Sequence, residues 1–300
     1  MIYGIFAVVY GVLISIQASF CATLTEVYGN WFSTVVVHLS GFLALLPFFL
    51  TKWGRRTGKA PWYLYLGGVI GVANVVFGNY GIVKLGLTNC NVLMLLGEII
   101  FAAVMDALGL LGMRKRKITG LKWAAICVML LGTGTIAVLS GEAAVQFSIA
   151  AVCASLLRGV SIVIIRQLNG QLGVKSGTGY ATFMNYATGL TTSLLIFAVL
   201  RFPMTAAFPV STVPVWTYLC GTIGCISIFL CNLAVPRLSA LTMSLVVFIS
   251  ETGTGMVFDL MGGKLSLPTV IGCGIVSIGM VMNLLAERKT GIYGGNNHGR

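Results

Sequence analysis

The sequence predicts an all-α membrane protein whose ten transmembrane helices form two inverted five-helix repeats. Composition is the first reason. Of 300 residues, 57% are hydrophobic and only 9% charged, against roughly a quarter charged in an ordinary soluble domain, so lipid must be the solvent for most side chains. The second reason is an echo: Pro61 to Gly109 returns 153 positions later as Pro214 to Gly262, a period that fits two copies of one folding unit better than a short solenoid repeat. The third is parity. Five spans per copy is an odd number, so the second copy must enter the bilayer upside down relative to the first.

Taken in order, the apolar segments of the first copy lie near Ile2 to Phe20, Trp31 to Leu50, Trp62 to Val83, Asn91 to Leu111 and Ile118 to Leu139. Those of the second lie near Phe147 to Ile165, Gly179 to Leu200, Pro214 to Val235, Leu238 to Met261 and Leu267 to Leu285. Each approaches the roughly 20 residues that a helix needs to cross a hydrocarbon core about 30 Å thick. Backbone facing lipid must satisfy its own hydrogen bonds, so these segments are helices. The opening run lacks a basic leader and a small-residue cleavage site, and is expected to stay as the first span. Residues 1–142 form the first repeat and 143–289 the second; the Gly-, Asn- and His-containing tail 290–300 is expected to be disordered.

The echo holds in detail. Tyr65 and Leu66 fall on Tyr218 and Leu219, Gly68 on Gly221, Gly71 on Gly224, Asn79 on Asn232, Glu98 on Glu251 and Asp106 on Asp259. In the flanking segments the offset is 148, pairing Gly11 with Gly159, Gly29 with Gly177 and Gly41 with Gly189. The slip between offsets puts about five extra residues after Leu200, in a loop, where insertions are tolerated.

Charge then orients the chain. Lys52, Arg55, Arg56 and Lys59 follow the second span, and Arg114, Lys115, Arg116, Lys117 and Lys122 surround the start of the fifth. By the positive-inside rule these regions and both termini are cytoplasmic. The matching loops of the second copy hold only Arg201 and Lys264, while Arg166, Lys175 and Arg237 are expected in its cytoplasmic loops. The bias reverses between halves, the mark of an inverted repeat with its solute site near the midplane. The net charge of +12 is thereby explained by orientation, without nucleic acid.

Several functions are disfavoured. The eight cysteines mostly fall in or beside apolar spans and read as buried packing residues. With His38 and His298 as the only histidines, and no zinc-type spacing, no metal centre is expected. No nucleophile with a base, phosphate loop or cofactor motif is visible, so neither enzymatic activity nor a cofactor is expected.

One pattern runs through Gly11 to Gln17, Gly41, Pro61-Trp62, Leu66-Gly67-Gly68, Gly71, Leu85-Gly86, Gly97-Glu98 and Asp106 to Gly109-Leu110-Leu111-Gly112. In this order it resembles the YdcZ-type family of the drug/metabolite transporter (DMT) superfamily, in a fused two-copy form covering nearly the whole chain. The resemblance implies a ten-helix secondary carrier of the bacterial inner membrane, and single-copy relatives that would pair antiparallel.

The residues that could carry transport are the polar ones set in oil. Glu98 and Glu251 lie near the middle of matched spans, where ionisable groups are costly and usually functional. As a midplane pair they could compete for one proton or one cation; the plain alternative is a pair of packing acids held by hydrogen bonds. Asp106 and Asp259, eight residues further along, sit about 12 Å away along the axis and about 80° around it, and could equally cap helix ends. Arg158 falls mid-span and needs a carboxylate partner or an anionic ligand; its first-copy counterpart is Tyr10. Gln17, Asn79, Asn185 and Asn232 offer amides inside spans, with His38 nearby, as ligand contacts or as interhelical glue.

These features give an expected secondary active transporter, with one leading reading and two alternatives. The leading expectation is a proton-coupled antiporter for a small organic cation or amphipathic metabolite, working by alternating access. A carrier of zwitterionic or anionic metabolites using Arg158 is the second, and a passive channel or membrane scaffold the third. The partners are then a small-molecule substrate, protons and the lipid bilayer, and fusion of two repeats makes a monomer sufficient.

Overall fold

The computed structural model describes residues 2–51, 54–85, 87–112, 115, 119–139, 148–199, 213–261 and 267–289. Among them are ten α-helices: α1 (Ile2–Tyr28), α2 (Asn30–Phe49), α3 (Gly67–Leu85), α4 (Leu87–Leu108), α5 (Gly120–Leu139), α6 (Ile149–Ser176), α7 (Thr178–Val199), α8 (Cys220–Ala234), α9 (Ala240–Met261) and α10 (Leu267–Lys289). Among the described residues six stretches are long and apolar enough to cross a membrane: Ile2–Thr25, Asn30–Phe49, Ile149–Ser176, Thr178–Val199, Val215–Arg237 and Ala240–Val257. Shorter apolar stretches occur at Trp62–Gly78, Gly120–Thr135 and Val270–Ala286.

Local sequence sets the corners in pairs. A single glycine separates α1 from α2 and another separates α6 from α7; Gly29 has φ +80° and Gly177 φ +97°, a region that side chains with a Cβ rarely enter. Pro61 and Pro214 each lead into a five-residue 3-10 turn, Trp62–Leu66 before α3 and Val215–Leu219 before α8. Ser148 caps α6, its hydroxyl accepting from the Ala151 N–H at 3.4 Å. Within the helices Thr133, Ser155, Ser227, Ser250 and Thr254 donate their hydroxyls to the carbonyl four residues back, which satisfies them without a partner helix.

Packing contacts also come in pairs. α3 packs on α6 as α8 packs on α1, α4 on α6 as α9 on α1, and α2 on α8 as α7 on α3, with α5 against α10. The closest approaches repeat residue for residue. A Cβ on Gly68 would strike the Asn185 carbonyl and Thr188, and one on Gly221 the Val37 carbonyl and Ser40. One on Gly41 would meet the Tyr186 ring, and one on Gly189 the His38 ring.

Two expected span limits need correction. α1 runs to Tyr28 rather than Phe20, and α6 to Ser176 rather than Ile165. Arg166 and Lys175 therefore belong to a helix and not to a loop. Counting out a hydrophobic span ends it at the first polar run, but Arg166, Gln167 and Asn169 are buried among neighbouring helices, where partners replace water. Arg237 does lie in a turn, exposed, with its guanidinium 5.4 Å from the Tyr3 ring centroid. Lys52, Arg114, Arg116, Lys117, Arg201, Lys264, the repeat boundary at 142–143 and the tail 290–300 lie outside the described residues.

Candidate substrate and coupling site

The buried charges converge where α1, α4, α6 and α9 meet, and glycines let these helices touch. Gly159 of α6 leaves no room for a Cβ against the Met94 carbonyl and the Glu98 N–H of α4. Gly11 of α1 abuts the Val247 carbonyl, Ser250 and the Glu251 N–H of α9 in the same way. Each glutamate is thus set beside the first helix of the opposite half.

Glu98 is closed. Arg166 donates from Nη1 to its Oε1 in a buried ion pair, and Arg166 Nε donates to the Tyr10 hydroxyl at 3.4 Å. The guanidinium also lies 5.4 Å from the Tyr10 ring centroid, a favourable cation–π placement. Exposure is 7% for Arg166, 3% for Glu98 and 7% for Tyr10. The charges are therefore desolvated, and only their pairing makes them tolerable.

Glu251 is different. It forms no hydrogen bond or ion pair with any described residue, while Arg158, Glu98 and Arg166 all lie within electrostatic range of its carboxylate. It also keeps some accessible surface although it stands mid-bundle on α9. Arg158, expected to need a carboxylate partner or an anionic ligand, gives its hydrogen bonds to neither among the described residues. Nη1 donates to Asn91 Oδ1 at 3.2 Å and to Cys90 Sγ at 3.8 Å, and its buried Nε has no partner. Asn74 and Ser161 hold the Arg158 backbone, both donating to its carbonyl, at 2.9 and 2.8 Å.

The other candidates separate from this cluster to different degrees. Gln17 and Tyr186 flank Gly224, and Gln17 Oε1 and the Tyr186 hydroxyl are buried without hydrogen bonds. Asn232 donates to Thr182 Oγ1 at 3.1 Å with its Oδ1 left unpartnered, and Asn185 accepts from Asn169 at 2.8 Å; both bind helix to helix. The His38 Nδ1 pairs with the Thr34 carbonyl at 2.8 Å, and its ring stands 6.1 Å from that of Tyr186. Asp106 turns away from the cluster, its two oxygens accepting from the Ala240 and Leu241 N–H groups at 3.0 and 3.1 Å, which begin α9. Asn79 lies on α3 and Asp259 on α9, and their side chains fall outside the described residues.

Arg166 is the residue that sequence reasoning missed. A signal existed: the stop at Gly177, matching Gly29, marks the true end of α6 and leaves Arg166 inside it. An apolar crevice of about 410 Å³ lined by Phe32, Val36, Leu39, Leu43, Leu194 and Phe197 lies apart from the charges, between α2 and α7.

The helices and the buried charges define a polytopic membrane protein with its polar residues gathered inside. A family model described as "Putative inner membrane exporter, YdcZ" matches residues 2–135 and again 150–282. The chain belongs to this DMT family of inner-membrane transporters, with the family unit present twice. Among solved structures 27 chains match. One, described only as a protein crystal structure, is 13% identical with a TM-score of 0.68, covering 96% of this chain and 97% of that chain; it supports the fold. No curated protein matches.

Proposed function

We propose that the protein is a proton-coupled secondary transporter of a small organic cation or amphipathic metabolite, working by alternating access between two inverted five-helix halves, 1–142 and 143–289. Inversion is supported by which ends meet. The Thr57 N–H donates to the Ser176 carbonyl at 3.1 Å, so the end of α6 lies with the approach to α3. The Tyr28 and Tyr218 hydroxyls meet at 2.9 Å, so the end of α1 lies with the approach to α8. Following the chain through α2 and α7, α6 then runs opposite to α1. With the basic loops inside, both termini are cytoplasmic, and the family's description as exporters favours outward transport.

The observation that carries the reading is Glu251: a carboxylate in mid-bundle, without a hydrogen-bonding partner among the described residues, in the field of two arginines and a second glutamate. It can hold a proton or a solute cation but not both, which is the simplest exchange a carrier can use. Glu98 enters the cycle only when Arg166 lets go. Transport in proteoliposomes tests this. Glu251→Gln should abolish flux driven by a pH gradient, and wild-type pH-driven flux in that variant would sink the coupling role. Flux that runs only downhill would instead favour a passive channel.

A second reading is favoured by the unpartnered Nε of Arg158: a zwitterionic or anionic solute whose carboxylate takes that donor. Arg158→Gln should then abolish anion binding while sparing cations.

A further inference from the structure

The two glutamates are matched by the repeat, but their surroundings are not, and the difference identifies what the second one takes. Gly159 on α6 touches the backbone at Met94 and Glu98; seven residues later on the same helix comes Arg166, which reaches back to the Glu98 carboxylate. Gly11 on α1 touches the backbone at Val247, Ser250 and Glu251; seven residues later comes Ala18. At the offset of 148 that pairs Gly11 with Gly159, Ala18 is the counterpart of Arg166. Its methyl cannot reach a carboxylate two turns away, and its position is exposed. Arg166 thus supplies Glu98 with a hydrogen-bonding cation, whereas the matching position beside Glu251 holds only Ala18, and Arg158, though within electrostatic range, gives its hydrogen bonds to Cys90 and Asn91.

We infer that Glu251 binds the guanidinium or primary ammonium head of the solute in the pose that the Arg166 guanidinium holds at Glu98. Arg166 is in this sense a tethered copy of the solute head group. The chemistry agrees: a carboxylate in a low-dielectric interior prefers a donor-rich cation with which it can form charge-assisted hydrogen bonds. The inference rests on the carrier reading above for its place in transport, though binding can be measured without transport.

The probe is methylguanidinium, added to purified protein in detergent and read as a shift in thermal unfolding, since only a bound native state gains stability. The wild type should be stabilised, Ala18→Ser should behave like it, and Glu251→Gln should lose the shift. Ala18→Arg should also lose it, because the introduced guanidinium takes the same carboxylate. Methylguanidinium stabilisation that survives Glu251→Gln or Ala18→Arg would overturn the inference. Carbodiimide labelling of the wild type, read by peptide mass spectrometry, needs no folded variant: methylguanidinium should cut modification of Glu251 at least tenfold, and unchanged labelling would also overturn it. The two readings fail separately. Binding without uphill flux refutes the carrier and leaves this site, whereas Glu251-dependent uphill flux without methylguanidinium binding does the reverse.

Discussion

Arg166 on α6 and Glu98 on α4 form an ion pair buried between the two halves of the chain. A pair so desolvated gains little over an apolar one of similar shape, yet losing one member strands the other. Arg166→Met and Glu98→Gln should therefore each destabilise the protein by about 3–5 kcal/mol. Combining them should cost far less than the sum of the two, which unfolding in detergent and a double-mutant cycle would measure.

Asp106 supplies both oxygens to the first N–H groups of α9, and Ser239 Oγ accepts from the next, that of Thr242, at 2.9 Å. Removing the charge weakens a cap and its interaction with the helix dipole. Asp106→Asn should cost about 1–2 kcal/mol and leave methylguanidinium binding unchanged, as thermal shift with and without the probe would record.

Gly11 and Gly159 make equivalent backbone contacts, so the same insult should hurt both. Gly11→Val and Gly159→Val should each lower stability by about 1–3 kcal/mol through overpacking. Similar losses at the two sites, compared by thermal unfolding of both variants, would be the signature of the repeat. A loss at only one would contradict it.

Inversion has a direct test in whole cells. Cysteines placed at Arg55 and Lys175, both exposed, should react with a membrane-impermeant thiol reagent only after the membrane is opened. Those at Val27 and Val215, also exposed, should react from outside, with modification read at each site by peptide mass spectrometry.

Much of the architecture was legible because symmetry writes itself in small residues. The alignment of Gly41 with Gly189 and of Gly68 with Gly221 came from sequence, and the structure puts each pair against equivalent neighbours. His38 and Tyr186, the rings against which Gly41 and Gly189 pack, are themselves counterparts at the same offset of 148. Glu98 and Glu251 could be singled out because carboxylates in apolar spans are rare. Their unequal settings could not, because Arg166 looked like a loop residue once the span had been cut at about 20 residues. Hydropathy measures a segment against lipid, and the last turns of α6 face other helices. Asp106 was ambiguous for a related reason: its partner N–H groups lie on α9, distant in sequence, and no local pattern names them.

The contrast between Arg166 and Ala18 is closed to an assembly of two identical chains. Two identical five-helix chains assembled head to tail would carry arginine opposite both acids or opposite neither. They would hold a mirrored site with no preferred occupant on either side. Joining the copies frees each to drift alone, so that one acid can be locked in an ion pair while its twin is left without one.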